Sequence, residues 1–136
     1  MELNTIQKRN KLNRIFTIGE KGNGGAYNTF CITAEKPFKN KNNDDYGYVT
    51  VDADKLPILS VLKFQKGARD MKDSTEGILN TDILEIVRFN LKCFQQGKLA
   101  CDYNAKALEH IELALMYLNR RIEDREEREV LGTMSR

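Results

Sequence analysis

The spacing of apolar and polar positions changes midway along the chain and divides it into a strand-forming half and a helix-forming half. In the first half, short runs of β-branched and aromatic residues alternate with polar neighbours, as strands do. From Asp82 onward, apolar residues recur every three or four positions, as in an amphipathic helix. The predicted fold class is α+β, with a small N-terminal antiparallel sheet followed by a long antiparallel helical hairpin. The four predicted strands are 14–20, 27–34, 46–52 and 57–65.

Glycine-rich and polar segments predict the connections between these strands. Gly22-Asn23-Gly24-Gly25 lies between the first two runs, and its Asn-Gly step is typical of a tight hairpin, because both residues tolerate positive φ. Its backbone N–H groups also suit a phosphate, but it lies between strands and lacks the Gly-Lys-Ser/Thr ending of a P-loop. A structural turn is therefore the favoured interpretation. Residues 36–45 are polar and contain a proline, which predicts a surface loop.

Two helices of unequal length are predicted. The first begins at Asp82, with Glu85 three positions later as in a capping box, and ends near Gly97. The second runs from Asp102 to about Arg128 and is about 40 Å long. The short connection favours an antiparallel pair. The apolar stripe of the second helix is Leu108, Ile111, Leu115, Leu118 and Ile122.

The length of the second helix predicts self-association. The first helix is too short to cover the whole apolar stripe, so a second subunit is the simplest cover. The chain of 136 residues is expected to be one domain. We place its sheet part at about 12–67 and its hairpin part at about 80–130.

Composition narrows the class of protein. Hydrophobic residues make up 40% and charged residues 31%, a globular balance, and a net charge of +2 argues against binding to a nucleic-acid polymer. Three cysteines without Cys-x-x-Cys spacing indicate free thiols in a reducing compartment. The chain has no apolar run of about 20 residues and no signal-peptide core. We therefore expect a cytoplasmic protein with no membrane partner.

Candidate chemistry points to binding and not to catalysis. His110 is the single histidine, so neither a catalytic residue nor a metal site is predicted, and no cofactor is expected. Arg121, Arg125 and Arg128 recur at helical spacing, with Tyr117 one turn earlier. They form either a solvated face balanced by glutamates or a surface for phosphate and purine rings. The residues alone leave both interpretations open.

An ordered set of short segments resembles one protein family. In the first half these are Gly22 to Ala26 and Phe64-Gln65-Lys66-Gly67. In the second half they are Phe94-Gln95-Gln96-Gly97, Ala100-Cys101, Asn104-Ala105, Ala107-Leu108, Leu115 to Arg121, Asp124-Arg125-Glu126 and Gly132-Thr133. Together they resemble the phage anti-Thoeris signal sponges, which are related to the anti-CBASS sponges for cyclic nucleotides.

The resemblance implies a function in the cytoplasm of an infected host. In Thoeris defence, a TIR-domain enzyme converts NAD into a cyclic ADP-ribose isomer that activates an effector. A sponge of this family binds that small molecule without degrading it, so the effector stays inactive. The resemblance also leaves cyclic oligonucleotides open as a second ligand class at a separate site. It further implies self-association, as a dimer or a trimer of dimers.

The resemblance also assigns ligand-binding residues. Phe94 is expected to stack on adenine, and Arg121 to stack or to bind phosphate. Asn104 is expected to hydrogen-bond the ligand, and Arg69 to meet the diphosphate. Arg120 and Arg125 are further candidates. Because Arg121 follows Asn104 by 17 positions on one predicted helix, about 26 Å, a compact ligand would need Asn104 from one chain and Arg121 from its partner.

Two other functional classes remain as alternatives. One is an interaction module whose hairpin docks on a protein partner, which predicts no nucleotide binding. The other is an ADP-ribose hydrolase, which predicts that bound ligand is released in altered form.

Overall fold

A computed structural model describes residues 1–22, 24–37, 50–51, 56–69 and 71–127. The chain divides into two compact units, Met1–Phe64 and Gln65–Arg136. The strands belong to the first unit and the helices to the second, as the change of spacing predicted. The elements are the strands β1 (Asn13–Ile18), β2 (Thr29–Ala34), β3 (Thr50–Val51) and β4 (Leu56–Lys63), and the helices α1 (Asn80–Gln95) and α2 (Asp102–Glu127).

The four strands form one antiparallel sheet in the order β1-β2-β4-β3. Cys31 of the central strand β2 pairs with Phe16 of β1 and with Val61 of β4. The N-terminal residues extend the β1 edge, because the N–H of Leu3 donates to the Ile15 carbonyl and the N–H of Thr17 to that of Met1, both at 2.8 Å. The predicted α+β class, with its N-terminal antiparallel sheet and helical hairpin, is confirmed.

The core of the first unit is built on β2 and the start of β4. Its buried residues include Cys31, Thr33 and Ala34 of β2 and Leu56 and Pro57 of β4. β-branched and small side chains are typical of strands, and β2 has a neighbouring strand along each edge. The rings of Phe30 and Phe64 also meet edge to face, with centroids 5.6 Å apart.

The connection between β1 and β2 is longer than a two-residue hairpin loop. Within it, the N–H of Gly22 donates to the Ala26 carbonyl at 2.8 Å, and that of Gly25 to the Gly22 carbonyl at 3.0 Å. These internal bonds support the interpretation as a turn. Three parts of the sequence predictions lie outside the described residues. They are Asn23 of the predicted turn, residues 38–45 of the polar loop, and residues 46–49 and 52 of the third strand.

The second unit contains the helical hairpin, whose helices run antiparallel around the connection 96–101. Its stripe is confirmed, with Leu115 buried and the other four residues half-buried. The predicted start of α1 was wrong in detail, since the helix begins at Asn80 and Asp82 lies in its first turn. The Asp82 carboxylate accepts the N–H of Leu79 at 2.8 Å, which satisfies a donor that the helix start leaves unpaired.

The hairpin leaves many of its apolar side chains exposed. No residue of α1 is buried, and Leu115 is the single buried residue of α2. An Arg88–Glu112 ion pair of 2.8 Å joins the helices and, with Glu85, raises the pKa of Arg88. Among the large hydrophobic side chains of the two helices, those more than half exposed are Ile86, Phe89, Tyr103, Met116 and Tyr117.

Candidate functional site

The hairpin turn is held by the side chain of Gln95, the last residue of α1. Its Nε2 donates to the carbonyl of Cys101 at 3.1 Å, and its Oε1 accepts the Cys101 N–H at 3.0 Å. One amide side chain thus satisfies both backbone groups of the residue that precedes α2. The N–H of Asn104 donates to Cys101 Sγ at 3.5 Å, which caps α2. The side chains of Gln95 and Cys101, one at each end of the connection, therefore fix the geometry of the turn.

Phe94 and Asn104 lie beside this turn, at what we call the turn end of the hairpin. Phe94 is 47% exposed and offers a ring face for stacking. Asn104 is half-buried, and its Nδ2 donates to the Leu99 carbonyl at 3.4 Å. Since a carbonyl only accepts, this bond directs the amide nitrogen inward and leaves Oδ1 as the group for a ligand donor.

At the opposite, open end of the hairpin, α1 begins and α2 continues past it. Arg69 belongs to this end, because its Nη2 donates to the carbonyl of Gly77, three residues before α1, at 3.3 Å. Its Nε and Nη2 also donate to Gln65 Oε1, each at 3.3 Å. The guanidinium is exposed, and its Nη1 makes no hydrogen bond to the described residues. The Nε and Nη2 groups of Arg69 are therefore held by the protein, and its Nη1 group is available to a ligand.

The neighbouring arginines of α2 differ in their contacts. Arg120 Nη1 lies 3.2 Å from Glu123 and 3.1 Å from Glu127, and Nη2 donates to Glu127 at 3.2 Å. The hydrogen bonds that Arg120 donates to Glu127 and Glu123 raise the pKa of Arg120. Arg121 is also exposed but makes no hydrogen bond or ion pair with the part of the chain that the structure describes. Of the two, Arg121 is the cation whose charge is left for a ligand.

The six predicted ligand residues therefore divide between the two ends. Phe94 and Asn104 lie at the turn end, whereas the four arginines belong to the open end. Arg125 is half-buried and has interactions of its own. Asn104 and Arg121 lie on one continuous helix, so about 26 Å separates them along its axis. One hairpin alone does not bring the predicted set together.

Between the ends, α2 forms one wall of an open groove of about 470 Å³. Its apolar residues include Leu113, 42% exposed, and Met116, 66% exposed. Glu109 and Glu112 also line it, together with Gln95, Ala105 and Leu108. Leu113 and Met116 therefore expose apolar surface beside two carboxylates.

Sequence reasoning missed the two glutamines that organise these ends. Gln65 and Gln95 occur in a repeated Phe-Gln-x-Gly segment, at 64–67 and 94–97. In both, the glutamine side chain bonds backbone groups of the loop that follows. The repeat was the available signal, although the bonding partners depend on how each loop folds.

The next observations, on metal ligands and on membrane-spanning helices, concern the described residues alone. No group of three or more His, Cys, Asp or Glu side chains that could hold a metal ion occurs among them. His110 is exposed on α2. Within the same ranges, neither helix combines the length and the apolar character needed to cross a membrane.

Comparison with known proteins finds a similarity in the hairpin region. Residues 61–123, from the end of β4 through most of α2, match the family described as Acb2/Tad1, hairpin domain. Over these residues the chain is similar to the Acb2/Tad1 hairpin domain. The match includes Arg69, Phe94, Asn104 and both neighbouring arginines, and confirms the resemblance that the sequence motifs indicated.

A curated relative supports the same family. The chain is 37% identical over 75 residues to Thoeris anti-defense 1 of Bacillus phage SBSphiJ7. The aligned region covers 55% of this chain and 52% of the relative, so the chain spans about half the length of that protein. Both similarities therefore concern part of the chain.

Proposed function

We propose that this chain is a phage-encoded anti-defence protein that sequesters a TIR-produced cyclic ADP-ribose isomer, glycocyclic ADP-ribose, without degrading it. The main support for this proposal is the match of residues 61–123 to the Acb2/Tad1 hairpin family, together with a relative named Thoeris anti-defense 1. By binding the messenger in the host cytoplasm, the protein keeps it from the Thoeris effector.

The side chains at the two ends suit the two parts of such a ligand. Phe94 offers an exposed ring for adenine, and Asn104 offers Oδ1 to an amino or hydroxyl donor. Arg121 and Arg69 expose guanidinium groups for the diphosphate. All four are recognition groups, which favours binding over hydrolysis.

A sponge has to bind tightly, because it competes with a receptor that responds to little signal. Nanomolar affinity corresponds to about 12 kcal/mol. Charge-assisted hydrogen bonds contribute about 1.5–3 kcal/mol each, and an aromatic stack about 0.5–1.5 kcal/mol beyond buried area. These contributions reach nanomolar affinity only if few side chains and loops have to become ordered when the ligand binds. The turn held by Gln95 and the Arg69–Gln65 contact are consistent with that requirement.

The ligand site is proposed to be composite. About 26 Å separates Asn104 from Arg121 in one chain, which a compact cyclic nucleotide does not span. An antiparallel partner brings the turn end of one hairpin to the open end of the other. The exposed apolar groove on α2 supports self-association, as a dimer or a trimer of dimers.

Cyclic oligonucleotides are a second proposed ligand class, at a separate site. The matched family carries the names of two kinds of protein, Acb2 and Tad1, on one hairpin. If the proposal holds, a cyclic oligonucleotide binds without displacing the cyclic ADP-ribose isomer. Competition between the two ligands would instead place them at one site.

Calorimetric titration with glycocyclic ADP-ribose tests the proposal directly, with linear ADP-ribose as the matched control. We expect nanomolar affinity for the cyclic isomer and much weaker binding of the linear compound, whose shape differs. No measurable binding of either would overturn the sponge and favour a hairpin that docks on a protein. Conversion of the ligand during the titration would favour the hydrolase.

A further inference from the structure

Gln65 is the centre of a hydrogen-bonded cluster that includes Arg69. We infer that Gln65 is a positioning residue, which aims the Arg69 guanidinium at the diphosphate of the ligand. The inference rests on the proposed function, since Arg69 is assigned to the diphosphate there. It adds a residue that acts through Arg69 and does not itself touch the ligand.

The orientation of the Gln65 side chain is fixed by its partners. Its Nε2 donates to the carbonyl of Gly67 at 3.1 Å, and a carbonyl only accepts. The carbonyl oxygen Oε1 must therefore face the opposite set, which consists of donors. It accepts from Arg69 Nε and Nη2 at 3.3 Å and from the Gly77 N–H at 3.1 Å.

The backbone around Gln65 is itself held at several points. The Gln65 N–H donates to the Ile78 carbonyl at 2.9 Å, and Lys66 and Thr75 exchange two bonds of 2.9 and 2.8 Å. Gly67 allows the intervening turn through its φ of 75°. The Gln65 side chain therefore projects from a backbone that is hydrogen-bonded on both sides, and it can hold the longer Arg69 side chain in place.

The chemistry of the support matters as much as its position. Arg120 is held by the carboxylates of Glu123 and Glu127, which offset its charge. Arg69 is held by a neutral amide, which orients the guanidinium and leaves its full charge for a phosphate. Holding a rotamer-rich side chain before binding avoids an ordering penalty of roughly two- to tenfold in affinity. Gln65 should therefore affect affinity only while Arg69 is present.

A double-mutant cycle tests this dependence, with glycocyclic ADP-ribose as the probe in calorimetry. Arg69→Ala should weaken binding about 10- to 150-fold. Gln65→Leu should weaken it roughly two- to tenfold in the native background. In the Arg69→Ala background, Gln65→Leu should cause no further loss, because its effect passes through the arginine. Additive losses would overturn the inference, since they would show that Gln65 acts independently.

Two further variants test whether Gln65 acts by orienting Arg69 or whether its replacement simply disrupts the loop. Gln65→Glu keeps the accepting oxygens but adds a negative charge, so it should also weaken binding, and the loss should shrink at high salt. Gln7→Leu removes an exposed glutamine from the first unit and should leave affinity unchanged. Full affinity in Gln65→Glu would contradict the need for a neutral support.

The native chain distinguishes this inference from the proposed function. If it fails to bind the probe, the proposed function and the role of Gln65 both fall. If it binds and the cycle is additive, only the role of Gln65 falls. Without ligand, the Arg69 Nε–H signal in nuclear magnetic resonance should be sharp in the native chain and broadened in Gln65→Leu. An unchanged signal would also contradict the inference.

Discussion

The two ends of the hairpin use their polar side chains in opposite ways. At the turn end, Gln95 and Asn104 are bonded to the backbone, so the turn is fixed and an aromatic ring is presented beside it. At the open end, exposed guanidinium groups dominate, and Arg121 has no partner among the described residues. Under the proposed function, one end recognises the base and the other end the phosphates, so a complete site needs both ends in one place.

The largest expected effect comes from separating the chains. Met116→Glu adds a negative charge beside Glu109 and Glu112 in the open groove and should convert the proposed assembly to monomer in analytical ultracentrifugation. Because each site is proposed to need two chains, binding of glycocyclic ADP-ribose should disappear at the same protein concentration. Ile6→Glu, at a fully exposed position of the first unit, is the control and should change neither property. A monomer that binds as tightly as the native protein would contradict the composite site.

The second-largest effect is a difference in ligand affinity between variants of the neighbouring residues Arg121 and Arg120. Arg121→Ala should weaken binding about 10- to 150-fold, because a charge-assisted contact is lost. Arg120→Ala should change affinity by only about threefold or less, because its contacts to Glu123 and Glu127 are exposed and contribute little to stability. Calorimetry gives the affinities and thermal unfolding gives the stabilities. Equal losses of binding and stability in Arg121→Ala would show that this arginine is structural.

Mixing variants tests whether the ends come from different chains. Asn104→Ala and Arg121→Ala each damage every site when present alone. If a site takes Asn104 from one chain and Arg121 from the other, mixed dimers contain one intact site of two. Refolding an equal mixture should then restore about a quarter of the native sites in a titration. No restoration would place both residues in one chain.

The smallest effect concerns the thiols. Cys31 is buried in the sheet, and burial raises its pKa, so it remains a thiol to higher pH than usual. Cys93 and Cys101 are exposed and should react with a maleimide on the order of tenfold faster or more. Bound glycocyclic ADP-ribose should slow Cys101, which lies beside Asn104, and leave Cys31 unchanged, as peptide mass spectrometry can measure. Equal protection of all three thiols would indicate a general change in stability.

Local sequence predicted much of the fold, because strand and helix spacing depend on nearby residues. The α2 stripe around Leu115 and the four strand segments follow from such spacing. The start of α1 was missed because Asp82 acts from the first turn, on the N–H of Leu79, and not from the position before the helix.

The candidate site was less predictable from the residues alone. Arg120 has Glu123 three positions later, but Arg121 likewise has Asp124 three positions later, so the sequence did not distinguish their contacts. The bonds of Gln65 to Gly77 and of Gln95 to Cys101 were not readable, because they depend on the paths of the loops. The predicted ligand contacts came from family resemblance and remain predictions.

The central claim is that the protein binds its messenger and returns it intact. Purified protein would be mixed with an extract containing TIR-made cyclic ADP-ribose, freed of unbound material and heat-denatured. The released compound would then be identified by mass spectrometry and tested on the Thoeris effector. We expect intact glycocyclic ADP-ribose that activates the effector again. An altered product would indicate an enzyme, and no released compound with an extract that still activates the effector would contradict sequestration.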